Sequence, residues 1–383
     1  MELIYRGNAI NMKVSFLNLK PLSHMGGAEK WISEVGRMIE EDGNEVEILI
    51  PSDENKVADI CGFKHIFYKS KFFIIMKRLN LLNFYPPFLN IPNCYGSEIV
   101  YISSVHSLLS FKKILKHKQK LIIGTHDLFI ANHIGVDLFQ KFSFIGIYIL
   151  TKKQSITIHS LNSLTTSKFK NHNANVIEIG NEFIALPPVK GSGNNNKKPT
   201  MAKNDKFKVL FLGNVEPRKG SGLIPNLLKS FGDATENIEF IIAGRIKDKK
   251  ILKKLIEAPR NFVVMGEIDE QQKKLLFSTS DLFIFLSERE ASPIVIEEAF
   301  SNGLPVVSTW KSIISLNSFK MSDCTICDRK ISYIKNSIMK YYDSWLSDIS
   351  KYNSEKIVRS ELYINTYSKI NYKEKIINMI LRS

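Results

Sequence analysis

The chain has 383 residues, of which 44% are hydrophobic and 24% charged, and its formal net charge is +15. This balance is typical of a globular protein, and the length exceeds what one hydrophobic core usually serves, so we expect two domains. The longest uncharged apolar stretch, residues 142–151, is far shorter than the ~20 residues of a membrane-spanning helix, and the N-terminus lacks the apolar region of a signal peptide. We therefore predict a cytoplasmic protein.

The positive charge and the cysteines indicate which binding partners, disulfides and metal sites to expect. The sequence contains no helix-turn-helix, zinc-finger or RNA-binding signature, so no nucleic acid is expected as a partner. An anionic substrate, or peripheral association with an anionic membrane, accounts better for the charge. Four cysteines do not suggest a disulfide framework, and Cys324 and Cys327 cannot supply four zinc ligands, which leaves a redox pair or an incidental pair.

The first predicted elements form a βαβ unit over residues 12–52. Strands are predicted at Val14–Leu19 and Val46–Ile50, and apolar residues at helical spacing lie between them (Trp31, Ile32, Val35, Met38 and Ile39). Gly26 and Gly27 precede this helix and allow a ligand to approach the backbone closely, although a simple turn would use the same glycines. The GxGxxG fingerprint is absent, which disfavours a dehydrogenase.

Two basic stretches follow. Residues 68–92 interleave aromatic and aliphatic side chains with lysine and arginine. This pattern fits either an amphipathic segment at a membrane interface or an ordinary core helix with a cationic outer edge. Residues 112–120 contain five lysines and one histidine, which is typical of a solvated face.

Two histidines come directly after predicted strands. His106 follows the strand Ile99–Ser103, and His126 follows Leu121–Gly124 with Asp127 beside it. Parallel sheets bind ligands at the carboxyl ends of their strands, so His126 is a candidate catalytic residue, with a purely structural role as the alternative.

Residues 187–206 are rich in Pro, Gly, Asn and Lys and are predicted to be a linker. A second α/β half begins with the strand Phe207–Asn214. The loop after that strand carries Arg218, Lys219 and a glycine at a strand-to-helix turn, which suits a diphosphate. Further strands are predicted at 240–244 and 263–266, with a helix from Asp269.

Residues 282–309 contain strand, loop, helix and strand in succession. We predict a strand at Leu282–Leu286, Pro293 as the first residue of a helix that runs through Asn302, a left-handed Gly303, and a second strand from Val306. Two carboxylates lie eight positions apart in this stretch, Glu290 on the loop and Glu298 in the helix. Solvated surface charges are the alternative interpretation, but the loop opens onto a helix N-terminus, which favours an anion.

The stretch SEREASPIVIEEAFSNGLPVVST resembles the Glu-x7-Glu signature of retaining, GT-B-fold glycosyltransferases of family 4. The resemblance implies an α/β GT-B fold: two facing Rossmann-like, doubly wound domains with an interdomain cleft. It places Glu290 beside the donor sugar and Glu298 at the ribose of the nucleotide. Family members often have glycine after the first glutamate, where this chain has Ala291, Ser292 and Pro293.

The same resemblance extends over most of the chain from Met12. It implies that the Gly26-Gly27 loop lies against the donor diphosphate and the acceptor, that His126 lies near the sugar, and that Lys219 neutralises the diphosphate. Asn214 stands where the family has arginine, so either Arg218 substitutes for it or charge stabilisation is weaker. The predicted donor-binding set, in addition to the catalytic candidates His126 and Glu290, is Gly26, Gly27, Asn214, Arg218, Lys219, Gly266, Ser292 and Glu298.

The sequence therefore predicts a retaining hexosyltransferase that uses a nucleotide-sugar donor, needs no cofactor or metal, and acts on a sugar or lipid-linked acceptor. We expect an N-terminal domain at 1–186, the linker at 187–206, a C-terminal domain at 207–362, and a last helix at 363–383 that crosses back to the first domain. The alternatives are a same-fold sugar-nucleotide epimerase or phosphorylase, and a non-catalytic basic module that binds membrane or nucleic acid.

Overall fold

The structure, a computed structural model, describes most of the chain in two compact units. The first unit is Met1–Asn181 with Lys369–Ser383, and the second is Glu182–Ser368. The predictions for His106, Asp127, Ala291 and most of the linker and basic stretches lie outside the described residues. The described residues are 11–18, 20–24, 26–78, 97–103, 119–126, 147, 156–170, 174–182, 206–231, 237–257, 262–288, 290, 292–367 and 369–382.

The first unit is built on an eight-stranded sheet with the order β3-β4-β2-β1-β5-β6-β7-β8. All neighbouring strands are parallel except β3 and β4, which form a hairpin. The strands are β1 (Lys13–Leu17), β2 (Glu45–Ser52), β3 (Lys56–Ile60), β4 (Phe63–Lys69), β5 (Ile99–Ile102), β6 (Lys120–Gly124), β7 (Thr157–Ser160) and β8 (Asn175–Glu178).

The predicted first βαβ unit is present. Helix α1 (Gly27–Glu41) joins β1 to β2 and buries the apolar stripe identified in the sequence. Gly43, at φ +84°, follows the helix in the left-handed region that glycine adopts without strain. Helices α2 (Lys71–Arg78) and α3 (Ser163–Phe169) follow, and the Asn162 side chain caps α3 by accepting from the Thr165 N–H.

The second unit has a six-stranded sheet, all parallel among the described residues, in the order β11-β10-β9-β12-β13-β14. Its strands are β9 (Phe207–Leu212), β10 (Ile238–Ala243), β11 (Phe262–Gly266), β12 (Leu282–Phe285), β13 (Val306–Ser308) and β14 (Cys324–Ile326). Side chains alternate between the faces of β9: Phe207 and Val209 enter one hydrophobic core, and Leu210 enters the other. Both faces are therefore covered, as apolar strands of a parallel sheet require.

Helices cover the two faces of this sheet. Side chains from α4 (Ile224–Phe231), α5 (Lys249–Ile256) and α8 (Ile331–Ser347) enter one core. Side chains from α6 (Glu270–Thr279), α7 (Ile294–Ser301) and α9 (Ile349–Thr366) enter the other.

The end of the chain returns to the first unit. Helix α10 (Lys369–Ile377), continued by a π-helical turn at Asn378–Arg382, packs on α1. The indole N–H of Trp31 donates to the hydroxyl of Tyr372 at 3.2 Å, and Lys120 Nζ donates to the carbonyls of Met379 and Ile380. These bonds anchor the C-terminal segment to both α1 and β6.

Three details of the predicted elements are wrong. Pro293 has an extended backbone (ψ 114°) and is the N-cap, so α7 begins at Ile294. The hairpin β3–β4 was not predicted. Nor was β14, which pairs with β13.

The described helices contain no segment both long and apolar enough to cross a membrane.

Candidate active site

Two loops at the carboxyl end of the second sheet meet beside each other. Strands β9 and β12 are neighbours, so the loops that follow them adjoin. The N–H of Glu288 donates to the Arg218 carbonyl at 3.2 Å. Gly220 has φ +76° and lies so close to the Leu286 carbonyl that an added Cβ would overlap it. Glycine is thus required here for both conformation and space.

These loops bring the predicted diphosphate cations onto one carboxylate oxygen. Glu290 Oε1 lies 2.5 Å from Lys219 Nζ and 3.3 Å from Arg218 Nη1, and it accepts from the Ser287 hydroxyl at 2.6 Å. The Glu290 side chain is 10% exposed, against 46% for Arg218. Glu290 is therefore held by charge-assisted bonds in a mostly desolvated position, unlike a solvated surface glutamate.

A second carboxylate balances the outer side of this cluster. Glu216 pairs with Arg218 and with Lys247, both at 3.3 Å. Three cations thus face two carboxylates, which leaves an excess of one positive charge around the loop. Lys219 and Arg218 are thus already close together, and an anion that binds here competes with the Glu290 carboxylate for both cations.

The departure at Asn214 has a structural counterpart. Asn214 follows β9 in a half-buried position, and Arg218 lies with Lys219 on the same carboxylate oxygen. A second guanidinium or ammonium group beside Lys219 is therefore supplied by the loop itself. This geometry favours the alternative in which Arg218 takes the place of the missing arginine.

Glu298 lies on α7 in a buried ion pair. Its side chain is 3% exposed, and its Oε1 lies 3.0 Å from Lys273 Nζ on α6. Lys273 also contacts Glu270 at 2.8 Å. Burial acts to lower the pKa of Lys273, but the two carboxylates outweigh it and raise that pKa above its usual value. The lysine therefore stays charged and fixes the orientation of the Glu298 carboxylate.

The neighbouring Glu297 holds a proton instead. It is fully buried, and burial together with the nearby Glu182 raises its pKa to about 8. The hydrogen bonds of Tyr363 support this protonation state. Its hydroxyl lies 2.8 Å from Glu297 Oε2 and 2.9 Å from the Glu182 carbonyl oxygen, but it has only one proton and can donate to only one of them. A protonated Glu297 donates to Tyr363, which donates in turn to Glu182. Ser318 donates to the other carboxyl oxygen.

Two further predicted donor-site residues lie in the same unit, one at the end of a strand and one in a turn. Gly266 ends β11 at φ +71°, and its carbonyl accepts from the Gly244 N–H at 2.7 Å. Ser292 lies in the turn before α7, and its hydroxyl is buried. The strand order places β11 at the far edge of the sheet from β13, so Gly266 and the loop after β12 are separated by β10 and β9.

In the first unit, the paired glycines lie at the N-terminus of α1. Gly26 is the N-cap and Gly27 the first helical residue. A Cβ on Gly26 would overlap Glu29 Oε2, so the Glu29 carboxylate is folded against the helix N-terminus, while its Oε1 accepts from Asn18 at 3.1 Å. A ligand phosphate at this helix terminus would have to share it with that carboxylate.

His126 follows β6 within a cluster of aromatic rings. The Trp31 ring lies 4.7 Å from His126, 5.2 Å from His159 and 5.0 Å from Tyr101, measured between centroids. Burial and the neighbouring His159 lower the pKa of His126 well below its usual value. His126 is thus a neutral imidazole at physiological pH, and the residue as a whole is half-buried.

The cysteine pair carries little nucleophilic character. Burial raises the pKa of Cys324 to about 12 and also raises the pKa of Cys327. Both are free thiols, and both stay protonated at neutral pH. The described residues contain no group of three or more side chains placed to hold a metal ion.

Several site residues were missed from the sequence. Ser287 and Glu216 lie in the two loops already singled out, but nothing in their spacing marks them as partners of Glu290 or Arg218. Lys273 and Tyr101 have no local signal at all, because each meets its partner only when separate elements pack together. His159 follows the same rule that identified His126, since it lies near the carboxyl end of the next strand.

The chain is similar to solved structures over almost its whole length. Sucrose-phosphate synthase from Thermosynechococcus elongatus matches with TM-score 0.68 at 12% identity, covering 96% of this chain and 97% of that one. Anabaena HepE, solved in complex with UDP and glucose, matches with TM-score 0.67 at 12% identity, covering 96% of this chain and 98% of that one. The pneumococcal O-GlcNAc transferase GtfA, solved with UDP and GlcNAc, matches with TM-score 0.64 at 10% identity, covering 98% of this chain and 100% of that one. The fold is GT-B, as predicted.

The family follows from the sequence of the second unit. Residues 193–315 match the family described as Glycosyl transferases group 1, so the chain carries a domain of that family. The matched region includes Lys219, Glu290 and Glu298. The resemblance noted in the sequence is confirmed.

Two curated relatives match at low identity. The phosphatidylinositol N-acetylglucosaminyltransferase GPI3 subunit of Saccharomyces cerevisiae is 23% identical over 311 residues, which is 74% of this chain. The match spans 65% of that relative, slightly less than two thirds of its length. The alpha-monoglucosyldiacylglycerol synthase of Acholeplasma laidlawii is 25% identical over 114 residues, 29% of each chain.

Proposed function

We propose that the protein is a retaining glycosyltransferase that transfers a hexose from a UDP-sugar to a glycolipid or glycan acceptor. The observation that carries this proposal is the convergence of Lys219 and Arg218 on Glu290 Oε1, within a domain of the glycosyl transferases group 1 family. Two structural neighbours solved with UDP, one with glucose and one with GlcNAc, support the choice of donor.

The proposed chemistry is a substitution at the anomeric carbon of the donor. The bond from this carbon to the diphosphate oxygen breaks, a bond to the acceptor oxygen forms on the same face, and the acceptor proton is released. Negative charge develops on the departing diphosphate, where Lys219 and Arg218 neutralise it. Preorganised charges of this kind are often the largest contribution to catalysis.

Glu290 and Glu298 divide the donor between them in this proposal. The Glu290 carboxylate accepts hydrogen bonds from the donor sugar, because it lies beside the cations that hold the diphosphate to which this sugar is attached. Glu298 accepts from the ribose hydroxyls, and Lys273 keeps that carboxylate oriented. In the second unit, Gly266 contacts the nucleobase, and Ser292 and Asn214 contact the phosphates. In the first unit, Gly26, Gly27 and His126 are the candidate residues that the family resemblance implies for the sugar and the acceptor substrate.

A lipid-linked acceptor is supported by two observations. The name of one curated relative gives phosphatidylinositol as the acceptor, and the name of the other gives a glucosylated diacylglycerol as the product. The net charge of +15 suits a protein that works at an anionic membrane surface. We therefore propose peripheral association with the cytoplasmic face of a membrane.

Ligand-dependent stability tests the donor class directly. UDP, GDP and ADP, each with and without a hexose, are compared by thermal unfolding with the full chain. A ligand at about 100 times its dissociation constant adds roughly 2.7 kcal/mol to the free energy of unfolding. A shift with UDP-hexoses supports the proposal, and the absence of any shift would contradict it.

The reaction type is tested separately. Purified chain, a UDP-hexose and vesicles containing anionic glycolipid are incubated, and products are identified by mass spectrometry. Transfer to the lipid supports a transferase, whereas an isomerised or phosphorolysed donor supports the same-fold epimerase or phosphorylase. A basic binding module predicts steep loss of vesicle binding with salt and no nucleotide-sugar binding.

A further inference from the structure

Arg329 connects the end of one strand of the second unit to the loop after another. It lies between β14 and α8, and strand β13 separates β14 from β12 in the sheet. Its Nη1 donates to the Leu286 carbonyl oxygen at 2.6 Å, and its Nη2 lies 3.1 Å from Glu288 Oε1. Both partners follow β12. The guanidinium therefore holds the loop that carries Glu290, although it comes from two strands away.

The backbone beside Arg329 is anchored to the rest of the sheet. The Cys327 N–H donates to the Ser308 carbonyl at 2.9 Å, which continues the pairing of β14 with β13. Asp328 pairs with Lys311 at 2.9 Å, and α8 begins two residues after Arg329. A guanidinium that extends from a fixed backbone can restrain the group that it binds.

The two contacts of Arg329 differ in strength. The Glu288 side chain is 51% exposed, so water screens its ion pair, which contributes little. Leu286 is fully buried, and Arg329 is the one donor to its carbonyl oxygen among the contacts of the described residues. A buried carbonyl that loses a charged donor is left unsatisfied. The bond to the carbonyl is therefore the contact that restrains the loop.

A planar peptide group carries this restraint to Glu290. The Leu286 carbonyl and the Ser287 nitrogen belong to the same planar unit, so holding the oxygen also fixes the orientation of Ser287. The Ser287 hydroxyl lies 2.6 Å from Glu290 Oε1, the carboxylate oxygen that also meets Lys219. The Leu286 oxygen itself lies against Gly220, the residue after Lys219. Both loops therefore take their position from one peptide group.

We propose that Arg329 is a positioning residue that holds the Glu290 carboxylate beside the donor sugar, through the peptide group of Leu286 and Ser287. It acts through the backbone and not by contact with the donor. Its effect on turnover rests on the proposed function, whereas its effect on the loop is measurable without any substrate.

Hydrogen exchange measures the loop directly. The Glu288 N–H donates to the Arg218 carbonyl, so its exchange rate, read by ¹⁵N NMR on the full chain, reports whether the two loops stay together. In Arg329→Gln we expect this amide to exchange about tenfold faster, the size of one hydrogen bond to a charged group. The Phe283 N–H, which donates to the Pro305 carbonyl, should not change. Unchanged exchange at Glu288, or equal acceleration at both amides, would overturn the proposal.

Two further variants separate this role from general stability. Arg329→Lys keeps the charge and a donor, so exchange at Glu288 should return part of the way to the native rate. Arg359→Gln is the matched control, because Arg359 Nε donates to the Gly303 carbonyl at 3.0 Å, just after α7. This control loses the same kind of bond and should leave the Glu288 exchange rate unchanged. Faster exchange in the control would show that the loop responds to any loss of stability, which would refute a specific role for Arg329.

A double-mutant cycle tests the link to catalysis. Arg329→Gln should lower kcat for UDP release about tenfold, without raising the dissociation constant of UDP. In the Glu290→Gln background the same change should alter kcat by no more than about twofold, because the carboxylate to be positioned is absent. A tenfold loss in both backgrounds would refute the link. If the native chain does not turn over any UDP-hexose, the proposed function fails, while the exchange rates still decide whether Arg329 holds the loop.

Discussion

Glu290 has opposite expected effects on nucleotide binding and on turnover. Its carboxylate occupies Lys219 and Arg218, the two cations proposed to hold the diphosphate. Glu290→Gln keeps the side-chain shape and removes the negative charge. The cations are then released for the diphosphate, so UDP binds more tightly. The sugar loses its charged partner in the transition state, so transfer becomes slower.

The structure sets the size of both effects. Two unit charges about 4 Å apart interact with about 1 kcal/mol in water and about 4 kcal/mol at an effective dielectric constant of 20. With a side chain 10% exposed, Glu290 lies between these limits. We expect about 1–2 kcal/mol, a roughly five- to thirty-fold lower dissociation constant for UDP. Turnover should fall by about a hundredfold or more, as when one preorganised group of an active site is lost.

Calorimetric titration with UDP and initial rates of UDP release measure the two effects. Glu288→Gln is the matched control, because it removes another carboxylate from the same loop. The Glu288 side chain is 51% exposed and pairs with Arg329 instead of Lys219 and Arg218. The control should change neither quantity appreciably. Weaker UDP binding by Glu290→Gln would refute the idea that this carboxylate competes with the diphosphate. Unchanged turnover would refute its role at the sugar.

Three further outcomes follow from the second unit. Lys273→Met should cost about 3–5 kcal/mol of unfolding free energy in urea, because it removes the ammonium group that faces the buried Glu298 carboxylate. Glu298→Gln should cost less, because Lys273 keeps its ion pair with Glu270. The double variant should lose much less than the sum, and simple additivity would contradict the pairing. Because the pKa of Glu297 is raised to about 8 in the folded protein, its contribution to stability is fully present below about pH 4.5 and is lost as pH rises to 8. Glu297→Gln should remove this dependence, up to about 4 kcal/mol between pH 5 and pH 8, and parallel pH profiles would count against a buried proton. Gly220→Ala should lower the thermal midpoint through backbone strain and contact with the Leu286 carbonyl, and an unchanged midpoint would show that the loop adapts.

The elements that sequence patterning predicts well are those with a long apolar signal. Helix α1 has a stripe at helical spacing, β9 is apolar except for Lys208, and β12 is a continuous apolar run. The hairpin β3–β4 has a two-residue turn, Cys61 and Gly62, with positive φ at both positions (56° and 81°). That geometry usually signals itself through Asn-Gly or Asp-Gly, and a cysteine gives no such signal.

The loop residues of the site were predictable from the sequence, but the contacts between residues of separate helices and strands were not. Lys219, Glu290 and Glu298 stand at spacings that resemble a known family. Lys273 is 25 positions before Glu298, and their contact depends on how α6 packs beside α7. Tyr101 and His159 are 58 positions apart and meet because their strands flank β6. Such partners become visible only once strand order is known.

The connectivity of the two units has a consequence for synthesis on the ribosome. The second unit is one uninterrupted stretch, Glu182–Ser368, whereas the first needs Lys369–Ser383 to cover Trp31 and α1. At about 5–20 residues per second, the ribosome takes roughly 10–40 s to make the intervening segment. Throughout that interval the nascent first unit exposes the apolar surface that α10 later covers, while the second unit is complete before its release. The first half of the chain is thus the last to finish folding, and it is the half most exposed to chaperones and to misassembly.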